Sequence, residues 1–294
     1  MAVDDSDNVY VAFNTDVPEA RSRKSSPAGE LIQTWGHGFG FSEDGAPAQN
    51  AVMGLVWRVA FDANDNVLLA DARRIRRINL QTGLLETIVG MAPHIIGKTG
   101  SALATVLNDP GTDLLFLPTG ELLTAEGSNY FVRKMDQNGS LTVAAGNGSL
   151  TSAPIRNGQP ATEVSLVSSA LAPAPNGNVL LIASDAVARI DSTGRIYALT
   201  RVGGNGFSGD GGPSTDATLL QPHDLASDAA GNIFVADTNN NRVRRIDAVT
   251  GIITTVAGSG ARLSACLPAG FGSMTRGTCS WGPCVSSRTG MRTT

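Results

Sequence analysis

Five segments of the chain repeat one pattern, and this recurrence limits the fold more than any other feature. The run GNIFVAD, anchored at Asn232, recurs as DNVYVAF at Asn8, DNVLLAD at Asn66, GELLTAE at Glu121 and GNVLLIAS at Asn178. Successive anchors lie 54 to 58 residues apart. Spacing this regular marks one structural unit copied along the chain.

Each copy has the same internal order. A short apolar segment ends in an acidic or turn residue, as in VAFD (59–62) and LASD (225–228). The anchor run follows as a second strand. A third reads RIRRIN (74–79), FVRKMD (131–136), AVARID (186–191) or RVRRID (242–247). After a glycine-containing turn, a fourth closes the unit, as in LLETIVG (84–90), SLTVAAG (140–146) and IITTVAG (252–258). Short alternating runs joined by Gly, Asn and Asp turns predict four antiparallel strands in one twisted sheet. So small a sheet cannot bury both faces alone, but radial stacking lets each copy cover its neighbour, which is the β-propeller arrangement. The predicted blades span 1–36, 55–90, 112–146, 169–203 and 223–258.

The links and tail read differently. DTNNN (237–241) joins the second and third strands of the last copy and reads as a surface turn, since Asp and Asn bond nearby backbone and tolerate left-handed φ. Between copies lies an insert, FSEDGAPAQNAVM (41–53) and FSGDGGPSTDATL (207–219), with weaker versions at 98–107 and 157–166. Its Gly and Pro set an irregular turn, and its small and apolar residues can pack back on the sheet. GGNGFSGDGG lacks the Lys-Ser/Thr ending and following helix of a phosphate loop. The paired basic residues of RRIRR (73–77) and RVRR (242–245) read as a solvated blade edge, with Arg stems over apolar surface. Residues 261–294 contain no Asp, Glu or Lys and no strand alternation, so they are expected to be a disordered or non-native end.

Composition narrows the function classes. Charged residues make up 16% and the net charge is -4, which argues against a partner held by phosphate neutralisation, so no nucleic acid is expected. No run of about 18 apolar residues occurs, so no membrane span is expected. The first residues lack a basic stretch followed by an apolar one, so no signal peptide is read in this chain. All three cysteines, Cys266, Cys279 and Cys284, lie in the tail and match no paired zinc knuckle.

The segment from Gly206 to Gly258 resembles the NHL repeat, in the long-insert form of bacterial NHL proteins and teneurin-type propellers. The likeness is specific in the last copy, good in the second and weaker elsewhere, and it covers about residues 1–260. It implies an all-β propeller, usually of six blades. Five copies are legible here, so either truncation has removed one or the tail or both ends supply it. Extracellular location is implied by the resemblance only.

In such a propeller the start of each innermost strand faces the central channel. The facing positions are Trp57, Thr112, Ser169 and His223, with Arg58, Asp113, Ala170 and Asp224 beside them. Trp57, Arg58, Asp113, His223 and Asp224 are therefore the candidate binding residues at the channel mouth. Some related lyases hold a channel zinc on three histidines from different blades. This chain has three in all, and His37 and His94 fall in inserts, so no metal and no cofactor is expected. Asp113 and Asp224 are too few carboxylates for a calcium site, and no Ser sits in a G-x-S-x-G elbow. The expectation is a non-enzymatic scaffold for a protein or glycan ligand. The alternative is a channel-site metal-dependent lyase or hydrolase.

Overall fold

The computed structural model describes residues 2–12, 22–37, 40–90, 99–105, 107, 113–150, 155–204 and 206–261. They form five antiparallel β-sheets, the blades of a propeller, and contain no α-helix. Blade 1 pairs Ala2–Val3, Val9–Ala12, Ser22–Ser25 and Leu31–Trp35 in order. Blade 2 runs from Val56–Phe61 to Leu85–Val89, blade 3 from Asp113–Phe116 to Ser140–Ala145, blade 4 from Ser168–Pro173 to Arg195–Ala198, and blade 5 from Asp224–Ser227 to Ile253–Ala257. The tail expected to be disordered lies outside the described residues.

The alternation legible in the sequence becomes two apolar rows across each sheet, one per face. In blade 2, Val67, Ile78 and Leu85 lie side by side and face blade 1. Ala70, Ile75 and Val89 form the opposite row and face blade 3. All six side chains are fully buried. The same rows recur as Val179, Ile190 and Ile196 toward blade 3, and as Ile233, Ile246 and Ile253 toward blade 4. Four apolar clusters result among the described residues, one for each step from blade 1 to blade 5. Burying an aliphatic side chain contributes roughly 1.5–3 kcal/mol, so these clusters dominate the stability.

The inserts are structural parts of the junctions. Short 3₁₀ turns at Ala48–Asn50, Ala161–Glu163 and Ser214–Asp216 each follow a proline whose φ near −58° suits it to open a turn. The turns carry Ala48, Ala161 and the residues after them into the clusters. Just before each turn, the insert adds to the outer edge of the following blade. In blades 3 and 4 it forms a fifth strand, Gly100–Ser101 and Gln159–Pro160. In blades 2 and 5 it contributes single bridges, Pro47 to Leu84 and Pro213 to Ile252. Exposed edge strands invite unwanted pairing, and these additions cover them.

The basic runs are a solvated edge only in part: Arg73 is exposed and Arg74, Arg77, Arg242 and Arg245 are partly exposed, but one arginine of each run is not. Arg76, Arg133 and Arg244 are fully buried, on the face of each third strand that also carries Ile78, Met135 and Ile246. A register shift with one extra residue on the fourth strand lies opposite each of them. Arg244 pairs with Asp210 of the insert at 2.8 Å and Asp237 at 3.5 Å, and donates to the Ser208 carbonyl. Arg76 pairs in the same way with Asp44 and Asp71, and Arg133 with Glu126. Phe41 stacks on Arg74 and Arg76, and Phe207 on Arg242 and Arg244. Asp237 is correspondingly more than a turn residue. It is fully buried and accepts from the Leu220 amide at 2.8 Å and from Asn240 Nδ2.

Where the fourth strand ends, backbone approach demands glycine. A Cβ on Gly90, at φ 94°, would stand 2.6 Å from the Arg73 carbonyl oxygen, and Gly146 and Gly258 meet the equivalent carbonyls of Tyr130 and Asn241. Arg244→Ala strands the buried Asp237 carboxylate and is expected to lower stability by about 3–5 kcal/mol. Arg77→Ala, which breaks a half-exposed pair with Glu86, is expected to cost at most about 1 kcal/mol. Urea unfolding of the two variants measures this difference.

Candidate functional site

The channel site begins with two bulges. Blade 2's innermost strand breaks register between Val56 and Val59, and blade 4's breaks between Ser168 and Leu171. Trp57 and Arg58 lie within the first, released from the ladder. The second coincides with a Leu171 amide that donates across to blade 3, to Asp113 Oδ2 at 2.7 Å. Asp113 Oδ1 also accepts from the Leu114 amide at 2.9 Å.

Arg58 joins three blades. Its Nε stands 3.3 Å from Asp113 Oδ1 in blade 3, and its Nη1 stands 3.7 Å from Asp224 Oδ2 in blade 5. Asp113 is buried, whereas the Asp224 side chain is 58% exposed. Burial pushes the Asp113 carboxyl up to about 6, and the Asp224 charge acts in the same direction. Arg58 and the two backbone donors pull it down and offset only part of the burial effect.

The structure thus brings Arg58, Asp113 and Asp224 together. Trp57 precedes Arg58 and is half-exposed at the mouth, and His223 precedes Asp224 and is also exposed. Ser169 and Ala170 lie in the blade 4 bulge, and Thr112 and His94 fall outside the described residues. Among the described residues, no three His, Cys, Asp or Glu side chains gather in a group that could hold a metal ion. With a guanidinium between them, Asp113 and Asp224 are arranged for ion pairing.

Sequence reasoning missed the surroundings of this set. Leu55 and Val167 each precede an innermost strand, and their carbonyls accept from Ala72 and Ser184 in the links between second and third strands. That places them at the channel-mouth end, where Phe41 and Phe207 cover the arginines that begin the third strands. Trp57 is 50% exposed, Phe41 47% and Phe207 42%, and Leu55 and Val167 are also exposed. The signal was present as apolar residues just outside the strand pattern.

The NHL repeat family model matches residues 219–246, which span the first, second and third strands of blade 5. Among solved structures, the chain is similar to virginiamycin B lyase from Staphylococcus aureus, with 13% identity and a TM-score of 0.52, covering 86% of this chain and 67% of that one. It is also similar to an auxiliary nutrient binding protein from Bacteroides thetaiotaomicron, with 12% identity and a TM-score of 0.53, covering 85% of this chain and 54% of that one. The chain therefore spans between half and two thirds of the length of these structures, and at such identity the likeness is one of fold. No helix among the described residues is long and apolar enough to cross a membrane. The described residues form five blades of a β-propeller, and the last of them carries an NHL repeat.

The Asp113 carboxyl gives a pH test. Its folded-state value lies above its unfolded one, so the native chain holds a proton there that the unfolded chain has lost between about pH 4 and 6. This contribution is full at low pH and lost as pH rises through about 6, on the order of 3 kcal/mol in total. Relative to Asp113→Asn, the natural chain is expected to lose stability over that window, measured as the difference in unfolding free energy across pH.

Proposed function

We propose that this propeller is a non-enzymatic binding scaffold whose ligand sits on the channel-mouth end. The observation that carries the reading is a set of exposed apolar side chains, Phe41, Leu55, Trp57, Val167 and Phe207, at the same end of the blades as an ion-paired charge set. Exposed apolar residues gathered at one end of a rigid scaffold suit recognition, and aromatic anchors commonly supply most of the affinity. Of a protein or a glycan ligand, the mixture of aliphatic and aromatic side chains favours a polypeptide with apolar anchors. Fold likeness to a nutrient binding protein and to a lyase does not decide between binding and catalysis, so the site must.

One observation favours a second reading, lyase or hydrolase chemistry in the channel. A buried carboxyl raised to about 6 is suited to proton transfer. Against it, both Asp113 oxygens are already engaged by Arg58 and by the Leu114 and Leu171 amides. A base must instead reach a substrate atom.

Displayed random peptides and an array of glycans, each probed with the full chain, test the proposal. Peptides selected by the natural chain are expected to bind Trp57→Ser/Phe207→Ser at least about tenfold more weakly. Val249→Ser, an exposed residue in the turn before the fourth strand of blade 5, should leave them unaffected. Peptide affinities unchanged by the double substitution would overturn the reading, and selection of glycans alone would reassign the ligand class.

A further inference from the structure

One edge of blade 2 carries cationic donors that the fold itself does not use. The third strand of each blade opens opposite the last residue of the second. That opening position holds Arg74 in blade 2, Phe131 in blade 3, Ala186 in blade 4 and Arg242 in blade 5. Phe131 and Ala186 are buried. Arg242 lies over Phe207, and its Nη1 and Nη2 donate to the Asn240 and Ser259 carbonyls. Arg74 is stacked in the same way, with Cζ 3.6 Å from the centre of the Phe41 ring. Among the described residues, however, its side-chain nitrogens have no hydrogen-bond or ion-pair partner. Arg73 beside it is exposed and equally unpaired among the described residues.

The neighbouring carboxylates are committed elsewhere. Asp71 accepts from the Gly54 amide at 2.6 Å and pairs with Arg76. Asp44 accepts from Arg76 and from the Thr87 hydroxyl. Apolar side chains flank the two free guanidinium groups. Phe41 lies against Arg74, and the Leu55 carbonyl accepts from the Ala72 amide at 2.9 Å. That bond sets the exposed Leu55, two residues before the exposed Trp57, beside the residue that precedes Arg73.

We propose that this edge of blade 2 reads a carboxylate in a polypeptide ligand, an Asp or Glu side chain placed beside an apolar anchor. The inference rests on the binding reading above and names the chemistry of its ligand. A guanidinium laid flat against a ring keeps its N–H edge free and can donate two parallel hydrogen bonds to a carboxylate. Arg74 supplies that fork, and its stacking on Phe41 holds it in place before the ligand arrives. Arg73 adds attraction without a fixed geometry. The anchor meets the apolar surface of Phe41, Leu55 and Trp57. A phosphate chain would satisfy the same donors, but the apolar flanks and the net charge of -4 favour a carboxylate on a peptide.

Peptides selected from a random display library by the full chain provide the test, with inorganic polyphosphate probed alongside. The selected peptides are expected to carry Asp or Glu next to an apolar residue. Changing that Asp or Glu to the matching amide should weaken binding to the natural chain about tenfold, and Arg74→Gln should weaken binding of the unchanged peptide by the same factor. Combined, the two changes should cost no more than either alone, because both remove one contact. Arg74→Lys, which keeps the charge but not the fork, should retain only part of the affinity. Arg195→Gln removes the same charge from an exposed position at the turn end of blade 4 and should leave binding unchanged. Unfolding midpoints check that each variant keeps its fold, and the peptide change needs no variant of the chain. Selected peptides without carboxylates, losses that add in the combined change, or an equal loss with Arg195→Gln would each overturn the inference. Peptides that lose affinity with Trp57→Ser/Phe207→Ser yet ignore Arg74→Gln would overturn it and leave the binding reading standing. Failure to select any peptide, or binding to polyphosphate alone, would remove both.

Discussion

Every blade depends on its neighbours for the burial it cannot achieve alone. A sheet of four short strands has two faces and no thickness, so its aliphatic rows must be covered from outside. The rows Val67–Ile78–Leu85 and Ala70–Ile75–Val89 show how one blade serves two junctions at once. The inserts complete each junction by adding small apolar residues between blades and by covering the outer edge strand. Removing one blade would therefore expose two apolar faces.

A second layer of organisation is electrostatic. The buried arginines of the third strands reach back to an acidic residue at the end of the second strand, and in blades 2 and 5 also to an insert aspartate. A buried charge is tolerated only when paired and hydrogen-bonded, so these clusters link blade, link and insert into one arrangement. Arg58 repeats the principle in the channel across three blades. The stacked Phe41 and Phe207 are at once lids on the buried arginines and part of the exposed channel-mouth surface. The junctions and the binding proposal thus share residues.

Much of the fold was legible because strand alternation and turn chemistry are local. The copies at Asn8, Asn66, Glu121, Asn178 and Asn232 announce the blades, and Asp62 with Asn66, or Asp228 with Asn232, close the first turn through side-chain bonds four residues apart. The fate of Arg76 and Arg244 was not legible, because it depends on an insert closing over that face of the third strand. The candidate site was half legible. Counting from the strand ends placed Arg58, Asp113 and Asp224 near the channel, but the Leu171 amide donor and the exposure of Leu55, Val167, Phe41 and Phe207 depend on how separate blades and inserts meet.

Hydrogen exchange followed by mass spectrometry tests most directly whether blade-on-blade shielding holds the fold together. The account predicts the slowest exchange in the second strands of blades 2, 3 and 4, Val67–Asp71, Leu122–Glu126 and Val179–Ala183, which are shielded on both sides. Val9–Ala12 and Ile233–Asp237, each shielded on one side, should exchange faster. Equal protection of all five second strands would contradict it.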